Sequence, residues 1–556
     1  MNAVYLGKKL ANQKASYIQN IPRPKGDAFV TYEDLIIGKK EGEWIAYDRV
    51  CNHDGGTLNL DKNKQTATCP MHKWTLKLEE GKYENNCPKK PLEVMDYGAH
   101  LEIKRFFYEF DDIDTSELID KKIDLNFNAH ASITITIDDI KLTSDPWYMG
   151  SCFATGWWHV SPPSEESIER LTSSDFIYIS HNHSDHLHIP TLERFVAKDT
   201  PIIVPNFESR SVESILTRLG YKNLIIVDFL KELDIRTPKG KFRIVIVKSG
   251  DERDDSSLLI VTKGNKVFLG VDTNMPNDWI LPGIDILYTA FAGGSSGFPS
   301  RIDNFSLERK KEIIRRNRLL FLSTHVRKLV TVTKPKYVVP YAGYFTESYR
   351  DNDVKLINQK NTPDEVIDYV ENLFPGVKGI NPLQNPHVSL HGNKFIVDDK
   401  NESPSYFVDE KYIEDDVKLF TVEKCITDEF LINVGIQYLK SGFYDDLSVV
   451  FLPSNDDISS PVSKALVVDF SNKNRSYKLI ECRDIGNEEI VKSIENSSNN
   501  IEILRLRADS FIGVLENGLP LEDLSIGFQA KMFRYPNVYN FDFWNHFTTI
   551  EFIKTS

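Results

Sequence analysis

The sequence lacks an uncharged apolar run of the length that a membrane span requires, and the first residues lack the apolar core of a secretory signal. The most apolar stretches are short. They lie at 221–230, 242–247 and 257–262, and their length and composition predict buried strands. We therefore expect a protein without a membrane segment, located in the cytoplasm.

Cysteine and positive charge are also scarce. The chain has only six cysteines in 556 residues, which excludes a scaffold held together by disulfides. The role of each cysteine must therefore be inferred from its own sequence context. Acidic residues number 81 against 67 basic ones, for a net charge of −14. Because a phosphate backbone attracts a basic surface, this balance argues against nucleic acid as a partner.

The chain is too long for one hydrophobic core, so several domains are expected. Residues 1–110 show short strands and turns, which predict an all-β domain. Residues 111–130 are polar and acidic, as in a linker. Residues 131–379 alternate strand and helix signals, which indicates an α/β layered domain. Residues 380–556 mix turns, strands and helices, and we interpret them as an α+β region.

Two Cys–His pairs form the first candidate site. Cys51 and His53 are separated by one residue, and Cys69 and His72 by two. Zinc accepts two cysteines and two histidines, but zinc fingers usually keep like ligands together. Here each pair contains one cysteine and one histidine, which suits a two-iron cluster in which one iron binds the thiolates and the other the imidazoles. The segment resembles the Rieske ferredoxin-like domain, and the predicted cofactor is a 2Fe-2S cluster.

A second cluster of metal-binding side chains follows a short apolar strand. The sequence HNHSDH places His181, His183, Asp185 and His186 within six residues. A lone histidine is more often structural, but this density indicates a metal site. The spacing resembles the metallo-β-lactamase superfamily, and that resemblance implies an αββα fold for the central domain.

Two histidines that this superfamily usually supplies are missing. At the position of one of them Asp251 is the best match, with Asp254 and Asp255 as alternatives. Asp272 fits the position of the usual bridging aspartate. The last histidine is expected in KYVVPYAGY, where Tyr341 stands instead. Hydrolytic members use two metals to activate water, so these losses argue against hydrolysis.

The remaining ligands suit a single iron. His181 and His183 with a carboxylate from Asp272 or Asp251 form the two-histidine, one-carboxylate arrangement of non-haem iron(II) oxygenases. We therefore predict mononuclear non-haem iron, with His181, His183 and Asp272 as catalytic residues. Spacing leaves an alternative open, whose ligands are Asp185, His186 and Asp272.

The combination of the two domains resembles the CMP-N-acetylneuraminate hydroxylase family. The blocks that carry the resemblance are TSDPWYMGSCFATGWWHV, YISHNHSDHLHIPTL, AFAGGSSGFPSR, PYAGYFTES and LPLEDLSIGFQAKMFRYPNVYNFDFWNHF. It implies that Cys51 and Cys69 bind one iron of the cluster, and that His53 and His72 bind the other.

The resemblance also implies an activity. The family is a group of monooxygenases that hydroxylate the N-acetyl group of a CMP-linked sialic acid with dioxygen and two electrons. The electrons come from cytochrome b5 or a ferredoxin, supplied by a pyridine-nucleotide-dependent reductase. Arg301, Tyr341 and Tyr344 are the predicted substrate residues, with a surface arginine and buried strand ends as the alternative interpretation. The resemblance does not fix the oligomeric state.

A pure electron carrier or scaffold is one alternative to this activity, and the retained cluster of histidines and aspartates argues against it. Two other functions stay open at this point. One is a Rieske oxygenase that acts on a different nucleotide sugar, an amine or a small metabolite. The other is a metallo-hydrolase whose Rieske domain senses redox state.

Overall fold

A computed structural model describes the chain at residues 2–9, 14–53, 57–69, 73–109, 113, 115–118, 120–250, 253–274, 279–280, 283–392, 394–398, 426–455, 457–462, 464–471, 475–482, 486–494 and 498–549. Within these residues it contains an N-terminal group of small sheets, a central sandwich of two large sheets and a C-terminal mixed sheet.

The N-terminal part is built from short antiparallel strands, as its turn-rich sequence predicts. One sheet contains Val30–Tyr32, Leu35–Lys40 and Glu43–Asp48. A second contains Asn59–Leu60, Thr66–Thr68, Thr75–Lys77 and Lys82–Tyr83. A third joins Glu93–Asp96, His100–Glu109 and Lys14–Pro22, with Trp279–Ile280 paired to His100–Glu109.

The central part is a sandwich of two sheets that share one apolar core. In spatial order the first sheet contains Asn2–Lys9, Lys231–Thr237, Gly240–Lys248, Ser256–Val261, Lys266–Leu269, Ile286–Ala290, Tyr337–Tyr341 and Lys378–Gly379. The second contains Leu224–Val227, Ile202–Pro205, Phe176–Tyr178, Ile140–Ser144, Ser132–Ile137, Ile123–Ala129, His387–His391 and Lys394–Asp398. A small sheet pairs Trp157–His159 with Phe345–Glu347.

Helices cover both outer faces of the sandwich. Glu165–Thr172, Ile189–Phe195 and Ser211–Arg218 pack on the second sheet. The first sheet is covered by Arg327–Thr333 and Pro363–Leu373. The remaining helices of this part are Leu307–Phe321, its π-helical continuation Leu322–Val326, Asn352–Ile357, and the 3₁₀ segments Gly294–Arg301 and Tyr349–Asp351. This layering is the αββα arrangement.

The C-terminal part has its own sheet and its own core. The sheet contains Ser476–Glu481, Lys464–Asp469, Leu447–Ser454, Asn500–Arg507 and Ala530–Tyr535, in that spatial order. The helices are Asp428–Lys440, Asn487–Ile494, Ala508–Glu516, Glu522–Ile526 and Phe541–Thr549. Aromatic side chains such as Tyr438, Phe451 and Phe547 fill the core between the sheet and its helices.

The predicted multidomain architecture is confirmed: an all-β N-terminal part precedes an αββα sandwich and an α+β region. Some strands of the sandwich lie outside residues 131–379, the range predicted for the central domain. Asn2–Lys9 pairs with Lys231–Thr237 of the sandwich. Ile123–Ala129, inside the predicted linker, and His387–His391, beyond the predicted end at 379, pair with each other in the second sheet.

The three apolar stretches all form strands, although Leu224–Val227 is an edge strand on which Ile226 stays 40% exposed. Among the described helices, none has the length and apolar composition needed to cross a bilayer.

Candidate functional site

Two loops of the N-terminal part bring Cys51 and Cys69 together in its core. Both thiols are about 1% exposed. The buried ammonium group of Lys89 fixes the first loop by donating to Asp48 Oδ1 at 2.8 Å and to the Val50 carbonyl oxygen at 2.7 Å. The described half of the site thus has the rigid loops that a thiolate-bound cluster requires.

Electrostatics around Cys51 favour a thiolate. Burial raises the pKa of this thiol, but hydrogen bonds from Cys69 and the His53 backbone outweigh burial and lower the pKa overall. His53 stacks on the indole of Trp74, with ring centroids 4.7 Å apart and an interplanar angle of 5°. His72 lies outside the described residues, so its predicted role stays a prediction.

The HNHSDH motif follows the strand Phe176–Tyr178, where parallel strands of the second sheet end. Asp145 orients it from the neighbouring strand. Its Oδ1 accepts the backbone N–H of Ser180 at 2.8 Å, and its Oδ2 lies 3.2 Å from His186 Nδ1. These contacts direct the other nitrogen of His186, Nε2, to a position with no hydrogen-bond partner in the described part of the chain. An orphaned imidazole nitrogen of this kind fits a metal ligand.

One group of ligand-type side chains comprises His181, His183 and Asp272. One ligand atom from each lies within 4.8 Å of the other two. His181 Nε2 faces His183 Nδ1 at 2.8 Å, as expected of two nitrogens that share a cation. This is the predicted set of two histidines and one carboxylate, and the structure brings it together.

A second group comprises His130, Asp185 and His186, again with ligand atoms within 4.8 Å of one another. His130 Nε2 lies 2.9 Å from Asp185 Oδ2. Asp272 Oδ2 is 3.6 Å from His186 Nε2, so this carboxylate adjoins both groups. His130 was absent from the sequence prediction. It lies alone in the turn between Ile123–Ala129 and Ser132–Ile137, with a φ of 47°, and only its rarity in the sequence could have marked it.

The remaining predicted ligand positions have different surroundings. Asp251 lies outside the described residues. Its alternative Asp255 is buried, with Oδ1 3.8 Å from His181 Nε2 and Oδ2 3.1 Å from Arg253 Nη1. Asp254 accepts a hydrogen bond from the hydroxyl of Ser209 and lies 3.6 Å from Lys248 Nζ. Asp255 is therefore the described member of this loop that reaches a histidine of the candidate metal site.

The predicted substrate residues are structural in this fold. Arg301 is 2% exposed, and its guanidinium donates to Asp351 at 2.6 Å and to Asp353 at 2.9 Å. The buried Tyr341 hydroxyl accepts the backbone N–H of Val271, and the Tyr344 hydroxyl donates to a backbone carbonyl oxygen. None of the three predicted side chains lines the cavity described next.

A cavity of about 270 Å³ lies among the three parts of the protein. His53 and Trp74 line it from the Rieske side. The sandwich contributes residues of both ligand groups, and the C-terminal part closes the remaining side. The lining residues from the two ligand groups are His130, His183, Asp185 and Asp272. The cluster-binding loops and the second metal site therefore open onto the same space.

The C-terminal wall of this cavity contains a buried arginine. Arg534 lies 3.4 Å from Glu502 Oε1 through its Nε, and Trp544 donates to the same oxygen at 3.1 Å. Arg534 Nη2 has no hydrogen-bond partner in the described structure, and the guanidinium lies 5.0 Å from the ring centroid of Tyr539. The wall combines an incompletely paired cation with aromatic surface.

Two histidines of the motif, His181 and His183, have pKa values shifted in opposite directions. Burial, followed by the charges of His186 and His183, lowers the pKa of His181. Burial also opposes protonation of His183, but the carboxylate of Glu522, 3.9 Å away, raises the pKa of His183 to about 9. The C-terminal part therefore acts electrostatically on a candidate metal ligand of the sandwich.

Residues 13–96 match the Rieske [2Fe-2S] domain family, so the predicted 2Fe-2S cofactor is confirmed at the level of this domain. Solved structures similar to about half of the chain include CmlA, a diiron β-hydroxylase from Streptomyces venezuelae. The identity is 18%, the TM-score 0.33, and the match covers 49% of this chain and 54% of that one.

Three curated relatives are named cytidine monophosphate-N-acetylneuraminic acid hydroxylase. The Danio rerio protein is 30% identical over 92% of this chain and 89% of its own length. The Asterias rubens protein is 29% identical over 97% and 85%. The Mus musculus protein is 27% identical over 93% and 91%. The prediction of an oxidoreductase is confirmed, and the chain belongs to the cytidine monophosphate-N-acetylneuraminic acid hydroxylase family.

Proposed function

We propose that this protein is a Rieske-type monooxygenase that hydroxylates the N-acetyl group of a CMP-linked sialic acid. The overall change converts the acetyl methyl group, dioxygen, two electrons and two protons into a hydroxymethyl group and water. The observation that carries the proposal is the shared cavity, which is lined by His53 on one side and by His183 and Asp272 on the other.

Non-haem iron fits the His181, His183 and Asp272 group because two imidazoles and a carboxylate leave coordination positions for further ligands. When bound, the iron supplies the oxygen chemistry, and the 2Fe-2S cluster supplies single electrons. The protein's own contribution is positioning and the exclusion of water. Trp157 and Phe345, which stack at 3.5 Å, form an apolar part of the wall suited to a methyl group.

The substrate is anionic, so the cavity needs a local positive charge. Arg534, Arg253 and Lys73 line it, and they replace Arg301 in the role that the sequence predicted for that residue. Arg253 is already engaged with Asp255 at 3.1 Å, whereas Arg534 retains a nitrogen without a partner in the described structure. We therefore assign recognition of the substrate's carboxylate or phosphate to Arg534.

Electrons reach the cluster from cytochrome b5 or a ferredoxin, each reduced through a pyridine-nucleotide-dependent reductase. We place the enzyme in the cytoplasm, a reducing compartment in which buried cysteines persist as thiols. The described cysteines form no disulfide, which agrees with this setting.

The test is a single turnover with ¹⁸O-labelled dioxygen. Enzyme reduced chemically at its cluster is mixed with CMP-N-acetylneuraminate, and the product is analysed by mass spectrometry. One ¹⁸O atom in the acyl group supports the proposal. Conversion of another compound, but not of this one, would support a Rieske oxygenase with a different substrate.

A hydrolysis product that contains no ¹⁸O would support the metallo-hydrolase. The matched controls are two cysteine variants. Cys69→Ser should lose both the two-iron signal in electron paramagnetic resonance and the turnover. Cys482→Ser, which changes a buried thiol of the C-terminal part, should keep both.

A further inference from the structure

The most basic segment in this acidic chain is the helix Leu307–Phe321, which we call the basic helix. Its sequence, LERKKEIIRRNRLLF, carries six basic and two acidic side chains, whereas the whole chain has a net charge of −14. A helix of opposite sign to the rest of the molecule concentrates positive potential locally. Neither metal group and no predicted substrate residue lies on it.

The basic helix runs beside the Rieske cluster. Near its end, Leu320 packs against the apolar core that contains Cys51, Cys69 and Trp74. Arg309 and Arg316 are seven residues apart on the same side of the helix, and both are close to Lys73. Lys73 interacts electrostatically with both arginines. The positive charge of the helix is therefore joined to the edge of a cluster-binding loop.

An adjacent stripe of the same helix faces solvent. Lys311, Arg315 and Leu319 follow one another at intervals of four residues, and all three are exposed. Leu319 is 54% exposed, which is high for a large apolar side chain. Lys311 Nζ lies 3.6 Å from the exposed Glu308 Oε1, whereas Arg315 forms no ion pair with any side chain that the structure describes. An exposed leucine next to unpaired positive charge is typical of a transient protein interface.

We propose that this stripe, which we call the docking patch (Lys311, Arg315 and Leu319), binds an acidic one-electron carrier protein next to the Rieske cluster. The inference rests on the proposed function, because a monooxygenase needs two electrons that the substrate does not supply. In each encounter the carrier is oxidised by one electron and the cluster is reduced by one. Charge complementarity would accelerate the encounter, and Leu319 would contribute the small apolar contact.

Substrate steering is the alternative role that the experiment must separate from carrier docking. Lys73 also lines the cavity, so the patch would steer the anionic substrate if its role were substrate capture. The two roles differ in the reaction step that responds. Carrier docking affects the rate of cluster reduction, whereas substrate steering affects the Michaelis constant for the CMP-sugar.

The experiment measures cluster reduction by stopped-flow absorbance in the full-length holoenzyme, without sugar substrate. The probes are the reduced haem domain of cytochrome b5 and a reduced plant-type ferredoxin. The patch variant is Lys311→Gln with Arg315→Gln. The matched control is Lys222→Gln with Lys263→Gln, two exposed lysines of the sandwich, which changes the net charge equally.

We expect the patch variant to lower the second-order rate constant about fivefold at low ionic strength with at least one carrier. The control variant should stay within twofold of the unchanged enzyme, and the difference should disappear at high salt. Dithionite titration should show the same amount of reducible cluster in every protein.

Equal rates for the patch and control variants would overturn the proposal. A change confined to the Michaelis constant for CMP-N-acetylneuraminate would also overturn it, in favour of substrate steering. Because the readout is cluster reduction, failure of the hydroxylation reaction itself would leave these rates intact and would be seen separately in the ¹⁸O experiment.

Discussion

The backbone N–H of Ala342 donates to the carbonyl oxygen of His130 at 2.9 Å. Ala342 and Tyr341 occupy the strand end at which the metallo-β-lactamase pattern expects its last histidine. The hydrogen bond holds the His130 turn against this strand end, and His130 Nε2 reaches Asp185 from there. A histidine from a different strand pair thus lies beside the position of the missing ligand.

This arrangement predicts that His130 contributes to metal binding. The group of His130, Asp185 and His186 is a second candidate metal site beside the proposed iron site. Replacing His130 with alanine should lower the affinity of this group for a metal ion about tenfold or more, because one of three ligand-type side chains is removed. Iron per chain, measured after dialysis against a chelator, checks the result, and the visible spectrum of the cluster should not change. The matched control is His391→Ala, an exposed histidine of the second sheet. The same iron content in both variants would argue for a purely structural His130.

Because the Lys89 ammonium group holds the first cluster loop, replacing Lys89 should destabilise the Rieske part. Lys89→Met removes three hydrogen bonds, to Asp48, Val50 and Asn52, and leaves polar groups of the first cluster loop without a partner. We expect the free energy of unfolding of the Rieske part to fall by about 1–3 kcal/mol. Loss of the cluster's visible absorbance in denaturant measures this change.

The control for Lys89→Met is Lys39→Met, whose partner Asp27 is 76% exposed. A surface pair contributes about 0–1 kcal/mol, so this variant should unfold close to the unchanged protein. A similar fall in the free energy of unfolding in both variants would show that Lys89 does not specifically stabilise the first cluster loop.

The assignment of Arg534 predicts a binding defect. The double variant Arg534→Gln with Glu502→Gln removes both charges of the buried ion pair, so that neither partner is left as an unpaired buried charge. We expect the dissociation constant for CMP-N-acetylneuraminate to rise at least tenfold, because the substrate loses a charge-assisted hydrogen bond. Titration calorimetry measures it. Lys531→Gln, on the same strand but outside the cavity lining, should bind normally. Unchanged affinity in the double variant would remove Arg534 from the substrate site.

The buried carboxyl group of Asp523 should make the stability of the protein depend on pH. It is fully buried beside the metal site, and burial, reinforced by the charge of Glu522 and opposed by His183, raises the pKa of its carboxyl group to about 8. In the unfolded chain an aspartate has a pKa of about 4. The folded state therefore keeps a proton that the unfolded state releases, and stability falls as the pH rises from about 4 to about 8.

Asp523→Asn should remove this fall. The stability of the variant relative to the unchanged protein should rise by about 1 kcal/mol per pH unit between pH 5 and pH 7. Urea unfolding at pH 5, 6 and 7 measures the difference. The control Asp364→Asn changes an exposed side chain and should show no such trend. A relative stability that does not depend on pH would show that Asp523 is ionised in the folded protein.

The candidate sites were predictable where their ligands lie within a few residues of each other. Cys51 with His53, and the HNHSDH motif, are local patterns whose residue types have few alternative uses. The short apolar runs predicted strands for the same reason, since period and composition act over a few residues. The residues missed were single ones. His130 has no ligand-type neighbour in sequence, and Arg534 is one of many arginines.

Arg301 is a case in which the sequence could not show the partners of a charged side chain. Its position after a glycine-rich segment favoured an anion-binding role, but Asp351 and Arg507 surround it in a buried network. Asp351 is fifty residues away along the chain and Arg507 lies in the C-terminal part. No local pattern reports that a charge is already neutralised, because the neutralising partner comes from a distant segment.

By itself, the sequence determined the chemistry of this protein: a Rieske pair of loops, a histidine-rich metal motif and the family to which the chain belongs. Only the tertiary structure decided which side chains share a cavity: it places His130 beside Asp185 and His186, and it lines the cavity with Arg534 but not with Arg301. The physical reason is the separation along the chain of the residues that interact. Ligand pairs and strand periods are set by neighbours along the chain, whereas the cavity is formed by sheets and helices whose packing joins residues hundreds of positions apart.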